Sequence, residues 1–575
     1  MLRFSVAFAA ILTIGLTPLA GRADVVPLAI EDGACELIAE TGRPSDHFYL
    51  VVGSLADAGR TTRISVRTEA TAAPARLAVD RTTAPALWRE LMLEQATRQE
   101  KARLLRKPVA LGPTLPPAKT RLFHVFVKER DLENPSHYAA VTADLRALGR
   151  HCQVYVDRAA GEAGLAILTA DILCTFDDEV FPWANRHLGN VQDVDRDGRF
   201  TILLTPLLGA LQDGTVSVDG FVRGSDFNLD LAAPFSNGCD MMYLNSRLKP
   251  GPHLHTLLAH EYAHAVTYCE HVQENYLPGT TRQDEQGWLN EGLSHLVEEQ
   301  VGYGWSNLDY RIDAYLACPE RYPLVVPDYY HSGLWRTAGT RGAAFLFLRS
   351  CRERHGLGLL TRLCRSNLAG VPNLEAATRE HFEELFRHWA VTMLQDGGAW
   401  TRKAKLGRLC VGPRFHDMSA RGECDDFSLV GTGLLYVRVH SPEAARTRIM
   451  VRGEPDTKLQ VTLVRPGPEQ PWLQLRCAPA QTPGHVQLFL TAHGADMRIE
   501  AAAWDQPQNS HNAGAWGLAG AELKAGKMRT WEIAPAGAGP HVDPVFRVLA
   551  RDKSGNDLAA WAVLRHNSSG GGDGL

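Results

Sequence analysis

Leu254-His255-Thr256-Leu257-Leu258-Ala259-His260-Glu261-Tyr262-Ala263-His264-Ala265-Val266 is the stretch from which the rest of the chain is read. Apolar residues fall at Leu254, Leu257, Leu258, Tyr262, Ala265 and Val266, with no Pro or Gly inside and Gly251-Pro252 punctuating the start. That spacing predicts a helix. Successive residues turn about 100°, so side chains four apart share a face roughly 6 Å apart. His260 and His264 can each aim a ring nitrogen at one metal ion. Glu261 stands one step round the helix, placed to hold a water at that metal. This is the H-E-x-x-H pattern of metal-dependent hydrolases.

A catalytic zinc takes three protein ligands and keeps one position open. The third candidate is Glu291, in Trp288-Leu289-Asn290-Glu291-Gly292. It lies on a second apolar segment (Trp288, Leu289, Leu293, Leu296, Val297) that predicts another helix, joined to the first by a polar, Gly- and Pro-containing loop from Glu270 to Gln286. The bland alternative is a pair of satisfied core histidines and a solvated glutamate. Both motifs in this order favour the metal, one ion per chain.

The two motifs together resemble the gluzincin metallopeptidases, in which the Glu of the second motif is the third zinc ligand. The surroundings resemble the hyicolysin-type neutral metalloproteases of bacteria. The stretches that carry this are Arg121 to Val127, Cys152-Gln153-Val154-Tyr155-Val156-Asp157, Asp193-Val194-Asp195-Arg196-Asp197-Gly198, Ser236-Asn237 and Met242-Tyr243-Leu244-Asn245. The similarity covers roughly residues 120 to 400. The spacing from His264 to Glu291 is longer than in aminopeptidase-N-like or thermolysin-like members. The resemblance implies zinc on His260, His264 and Glu291, Glu261 as general base, and a protein or peptide substrate. It implies an oxyanion donor too, often a Tyr or His beyond the third ligand. Arg341-Gly342 resembles the segment where relatives carry Tyr before Gly, so Arg341 is a departure. Tyr329, Tyr330 and His331 are the fallback candidates, with local packing of loop aromatics as the equal alternative. Glu298, two helical turns past Glu291, either orients a histidine as in aminopeptidase-like relatives or is a surface residue beside Glu299. No Gly-x-Met-Glu-Asn element is present, which favours endopeptidase action. Ser236 to Asn245 is read as an edge strand that pairs with an extended peptide.

Asp193, Asp195, Asp197 and Gly198 copy the first half of a calcium loop, but the twelfth position is Leu204 where a bidentate Glu belongs, and a strand follows. A full EF-hand is not expected. A partial Ca2+ site and an Asp-rich turn remain as alternatives.

The chain of 575 residues exceeds what one core serves, so two to four domains are expected. Hydrophobic content of 45% and charged content of 22% are those of a folded protein. A net charge of -5 gives no electrostatic case for nucleic-acid binding, and Lys101, Arg103, Arg106 and Lys107 read as a solvated helix face. Met1-Leu2-Arg3, the apolar run Phe4 to Leu19, and Gly21-Arg22-Ala23 form a secretory signal, with cleavage expected after Ala23 and a secreted or periplasmic product. No later stretch spans a bilayer. Among 11 cysteines, Cys410 with Cys424 and Cys351 with Cys364 are candidate pairs, and no C-x-x-C exists.

The fold expectation is a multidomain α+β chain: a gluzincin-like catalytic domain, mixed sheet plus helices, between an N-terminal β-rich module and C-terminal β-sandwich-like modules. The boundaries are a signal peptide at 1–23, an N-terminal module with a connector helix at 24–118 (a pro-region is its alternative role), and the metallopeptidase domain at 119–402. A sandwich follows at 403–505, a second β module at 506–566 and a tail at 567–575. Within this frame Ser136 to Leu148 and Leu374 to Leu394 are each expected as one helix. A chain that keeps zinc only as a staple and binds partners through its β modules is the alternative function. No Gly-x-Ser-x-Gly elbow supports a serine hydrolase.

Overall fold

The computed structural model describes residues 24–41, 47–74, 77, 116–128, 131–270, 284–303, 305–329, 331–334, 337–403, 412–420, 422–440, 445–466, 471–505, 518–534, 545–555 and 557–563. The signal segment, the connector helix with its basic cluster, Cys410 and the tail lie outside the described residues. The chain falls into two compact units, one drawn from Met1–Thr83, Asp313–Leu324 and Phe386–Leu575, the other from Ala84–Ile312 and Val325–Leu385. It is a multidomain α+β protein with five separate sheets among the described residues.

In chain order, strands β1 (Asp24–Leu28), β2 (Ala34–Thr41), β3 (His47–Ser54) and β4 (Thr61–Thr71) come first. Then follow β5 (Thr120–Phe126), β6 (Tyr138–Leu148), β7 (Cys152–Asp157), helices α1 (Leu165–Thr175) and α2 (Phe181–His187), β8 (Phe200–Thr205), β9 (Gly220–Phe221) and β10 (Met241–Asn245). Helices α3 (Pro252–Tyr268), α4 (Gly287–Val301), α5 (Trp305–Ala317), α6 (Ala338–His355), α7 (Gly358–Cys364), α8 (Gly370–Thr378) and α9 (Phe382–Lys403) come next. The chain ends in strands β11 (His416–Ser419), β12 (Cys424–Val430), β13 (Leu434–His440), β14 (Ala445–Arg452), β15 (Leu459–Arg465), β16 (Trp472–Pro479), β17 (Val486–His493), β18 (Met497–Asp505), β19 (Glu522–Leu523), β20 (Met528–Ile533), β21 (Val545–Asp552) and β22 (Asp557–Val563).

The first unit holds two β-sandwich-like layers pairs. In one, the sheets β1-β15-β3-β13-β11 and β12-β4-β14-β2 enclose Phe48, Leu50, Val52, Ile64, Val66, Leu435, Val437, Ile449 and Val461. The alternating burial of β4 is what a strand with one solvated face requires. This corrects the expected boundaries: strands of the 24–118 module and of the 403–505 module share both sheets. β3 lies between β13 and β15, and β4 between β12 and β14. A few strands with one apolar face each cannot bury it alone, and their partners 357 to 393 residues away leave no local trace in the sequence. The second pair, β16-β17-β20 with β19-β18-β21-β22, encloses Leu488, Leu490, Ile499, Phe546 and Val548. It straddles the expected division at 505/506, so the separation between the two cores falls between β15 and β16.

The second unit is built on one mixed sheet in the order β5-β6-β7-β8-β10-β9. β7 to β8 and β8 to β10 are parallel, and every residue of β7, β8 and β10 is buried, as strands covered on both faces must be. The expected helix at Ser136 to Leu148 is instead strand β6. Its Ala-rich composition suggests helix, but Val141 and Ala143 are buried in period two, and pairing to both β5 and β7 decides the matter. The expected helix at Leu374 to Leu394 is broken: Arg379 adopts φ 63°, Thr378 Oγ1 accepts from Glu380 N, and Glu375 Oε1 caps Phe382 N. Helix α4 packs on both α3 and α6. Cys351 and Cys364 keep free, buried thiols rather than pairing. Among the described residues no helix is long and apolar enough to cross a membrane.

Candidate metal centre

Helix α3 starts at Pro252, whose fixed φ suits a first helical position, and carries His260 and His264 on one face. Their Nε2 atoms are 3.1 Å apart. Helix α4 brings Glu291 Oε2 to 3.4 Å from His260 Nε2. The ligating atoms of His260, His264 and Glu291 all lie within 4.8 Å of one another. Two ligands of a tetrahedral zinc with bonds of about 2.0–2.1 Å stand about 3.3–3.4 Å apart, so these spacings suit one ion.

The outer ring nitrogens are both engaged. His260 Nδ1 lies 2.6 Å from Glu298 Oε1, and His264 Nδ1 lies 3.0 Å from Asn290 Oδ1 and 3.1 Å from Ser294 Oγ. Since these oxygens accept, each imidazole donates through Nδ1 and turns Nε2 to the site, where a metal would displace any proton on that nitrogen. Glu291 is held from the other side: Arg341 Nη2 donates to its Oε1 at 2.8 Å. Glu291 Oε2, the atom facing the histidines, is buried without a hydrogen-bond partner among the described residues. A buried orphan carboxylate oxygen is costly. A cation at this point satisfies it, so the residues present fit the group.

The charges agree. Burial pushes the His260 imidazole down, but the Glu291 and Glu298 carboxylates overcome this and hold it at about 10. Burial, then His260, takes His264 down to about 4. Burial acts to raise Glu291, but Arg341 and the two histidines hold it well below the usual carboxylate range. The cluster is built to keep a positive charge between carboxylates. Burial raises the Glu261 carboxyl to about 7, near the value a general base needs at neutral pH. Glu261 lines a cleft of about 1770 Å³ together with His260, His264, Glu291 and Arg341.

The other candidates separate. Glu298 is fully buried and touches His260, so its position is internal rather than at the surface. Tyr329 is buried, its hydroxyl without a hydrogen-bond partner among the described residues, and it does not line the cleft; burial and then Glu291 push its phenol up. His331 lines the cleft but its side chain is 87% exposed and bonds Asp328. Tyr330 lies outside the described residues. Arg341 occupies the position expected of an oxyanion donor and instead holds the Glu291 carboxylate. The expected edge strand at Ser236 to Asn245 is a correction: β10 is interior, and β9 is the edge, because the hairpin-like return through Gly220–Phe221 covers β10. Residues 218–222 around β9 line the cleft. Asp193, Asp195 and Asp197 come together, with one carboxylate oxygen of each within 4.8 Å of the others.

Two residues escaped the sequence reading. His295 Nδ1 and Asn307 Nδ2 each lie 2.9 Å from Glu298 Oε1, and His295 Nε2 is 3.9 Å from Glu291 Oε2. The spacings of His295 four residues past Glu291 and three before Glu298 were the signal, since both put it on the same helical face.

No protein-family model matches the chain, and no curated protein does. Among solved structures it is similar to Legionella pneumophila aminopeptidase A, described in complex with aspartic acid, at 9% identity and a TM-score of 0.27. That match covers 91% of this chain and 47% of the other, so the chain spans about half the length of the structure it matches. A likeness this slight carries no argument about chemistry.

Proposed function

We propose that the chain is an exported zinc-dependent peptidase, with His260, His264 and Glu291 as ligands and Glu261 as the general base. The observation that carries this is the donor set itself: two Nε2 atoms 3.1 Å apart, and a buried, unpartnered Glu291 Oε2 at 3.4 Å from one of them. Zinc held there supplies Lewis acidity, which acidifies a water and polarises a carbonyl. Glu261 takes the proton of the attacking water and passes it to the leaving amine. Glu298 and Asn290 fix the rings of His260 and His264. The strand β9, at the sheet edge among the described residues, supports a peptide as the substrate, because an extended chain can add to such an edge in the same cleft as the ligands. The absence of a Gly-x-Met-Glu-Asn element favours endopeptidase action.

The test is Glu261→Gln assayed on casein beside the parent, each with bound metal counted by mass spectrometry. The expected result is a loss of about 10²–10⁴-fold in rate with one zinc retained, and loss of the parent's activity with a chelator. A parent that carries one zinc and leaves casein and peptides intact sinks the peptidase reading and points to the β modules as the functional surface.

A further inference from the structure

We propose that the loop joining α2 to β8 binds one Ca2+ ion through Asp193, Asp195 and Asp197, with the amide oxygen of Gln153 as a neutral fourth donor. Carboxylates alone do not make a site. Gln153, on β7, is the independent observation. It is fully buried, its Nε2 donates to Asp197 and, at 2.8 Å, to Thr201 Oγ1, and its Oε1 is buried with no hydrogen-bond partner. A buried amide carbonyl beside an acidic loop, with nothing to accept from, is the uncharged oxygen that a hard cation uses. Asp195 points the same way. Its Oδ2 is taken by Arg121 Nη1 at 2.5 Å, while its Oδ1 is buried and unpartnered.

The loop is already shaped for this. Asp193 Oδ1 accepts from Asp197 N at 3.2 Å and its Oδ2 from Gly198 N at 3.1 Å, and Arg196 and Gly198 adopt φ of 61° and 77°. Oxygens on opposite sides of a Ca2+ stand about 4.6–5.2 Å apart, so carboxylates within 4.8 Å of one another can share one ion. A fourth carboxylate, Asp240, is buried nearby and accepts from Val194 N at 3.0 Å. Burial and then Asp195 push both Asp197 and Asp240 upward, a repulsion that Arg121, paired to Asp195, leaves standing. Leu204, at the twelfth position, is buried within β8, so the arrangement is not an EF-hand. A neighbouring strand supplies the missing oxygen instead, and water completes the shell on the exposed side of Asp193. The ion would tie the loop to β7 and β8, at the centre of the sheet.

The experiment uses the full chain freed of divalent ions, then titrated with CaCl2 or MgCl2 by calorimetry and thermal unfolding. One Ca2+ per chain is expected, with Kd of about 10⁻⁴–10⁻³ M and a midpoint rise of roughly 3–6 °C at ten times Kd. Asp193→Asn is expected to weaken binding at least about tenfold, with its calcium response read against its own calcium-free midpoint. Should that variant not fold, Gln153→Met and the parent's own titration decide. The His260→Ala/His264→Ala double variant is expected to bind calcium like the parent. A parent that takes up no Ca2+ at 10 mM (about ten times the weakest Kd expected), or a calcium response lost with the two histidines, overturns the proposal without touching the zinc reading.

Discussion

Arg341 Nη2 donates to Glu291 Oε1 at 2.8 Å and so occupies the one carboxylate oxygen that does not face His260. Two opposing effects follow. The guanidinium lowers the basicity of Glu291 and by itself weakens metal binding. It also fixes the rotamer that puts Oε2 beside the Nε2 atoms. Outer partners of metal ligands are worth about 10–100-fold in affinity, more than a partly screened charge takes away, so orientation wins. Arg341→Ala is expected to lower zinc affinity by about 10–100-fold. Arg341→Lys is expected to recover only part of it, because an ammonium lacks the planar fork. Competition against a fluorescent chelator reads both, and an affinity unchanged or tighter in Arg341→Ala sinks the argument.

Glu298 should be the costliest side chain of the site to truncate. Its Oε1 receives His260 Nδ1, His295 Nδ1 and Asn307 Nδ2 at 2.6, 2.9 and 2.9 Å. Burial acts to raise its carboxyl, yet His295 and His260 hold it at about 2. Glu298→Ala leaves two buried donors, on His260 and His295, and the partly buried amide of Asn307 without an acceptor, and is expected to cost about 3 kcal/mol in metal-free unfolding by urea. Glu298→Gln keeps the volume and one acceptor, and should lose less stability while still loosening the metal. Equal costs for both variants would show that volume, not hydrogen bonding, is what Glu298 provides.

Glu285 gives the unit an unusual pH response. Its Oε1 accepts from Gly370 N at 2.6 Å and Gln286 N at 2.8 Å, and its Oε2 from Asn373 Nδ2 at 2.5 Å, yet burial still raises the carboxyl from 4.5 to about 7. The folded state therefore holds this proton more tightly than the unfolded chain does. Stability from this group is present below the unfolded value and is lost as pH climbs to about 7. Partial exposure limits the loss to about 1–2 kcal/mol. From pH 4.5 to 7.5 the unfolding free energy from urea titration is expected to fall further in the parent than in Glu285→Gln, by about 1–2 kcal/mol. Identical pH slopes would remove Glu285 from the account.

Much of the candidate site was legible because its logic is local. His260, Glu261 and His264 need only helical periodicity to come together, and Asn290, Glu291 and Glu298 lie on a second periodic segment. What was not legible was set by distant partners. Nothing in Tyr138–Leu148 announces that it will pair on both sides, and an Ala-rich segment without a breaker reads as helix until β5 and β7 claim it. The strands β1–β4 look like a module of their own because pairing with β11–β15 is fixed only in three dimensions. Arg341 was visible as a departure from the pattern the two motifs resemble, but its contact with Glu291 depends on how α6 lies on α4.

That placement rests on a glycine. A Cβ at Gly342 would stand 2.2 Å from Arg311 O and 2.7 Å from Arg311 C, both backbone atoms of α5 that no rotamer change can move. Gly342→Ala must therefore push α6 away from α5, and is expected to cost about 1–3 kcal/mol. Arg341 is the adjacent residue, so the same shift should draw its guanidinium off Glu291 and weaken zinc binding in parallel. Gly161, whose added Cβ would meet nothing within 4 Å, is the control: Gly161→Ala should stay within about 0.5 kcal/mol of the parent. If Gly342→Ala unfolds at the parent's urea midpoint, the close approach of α6 to α5 is not what sets Arg341 against Glu291.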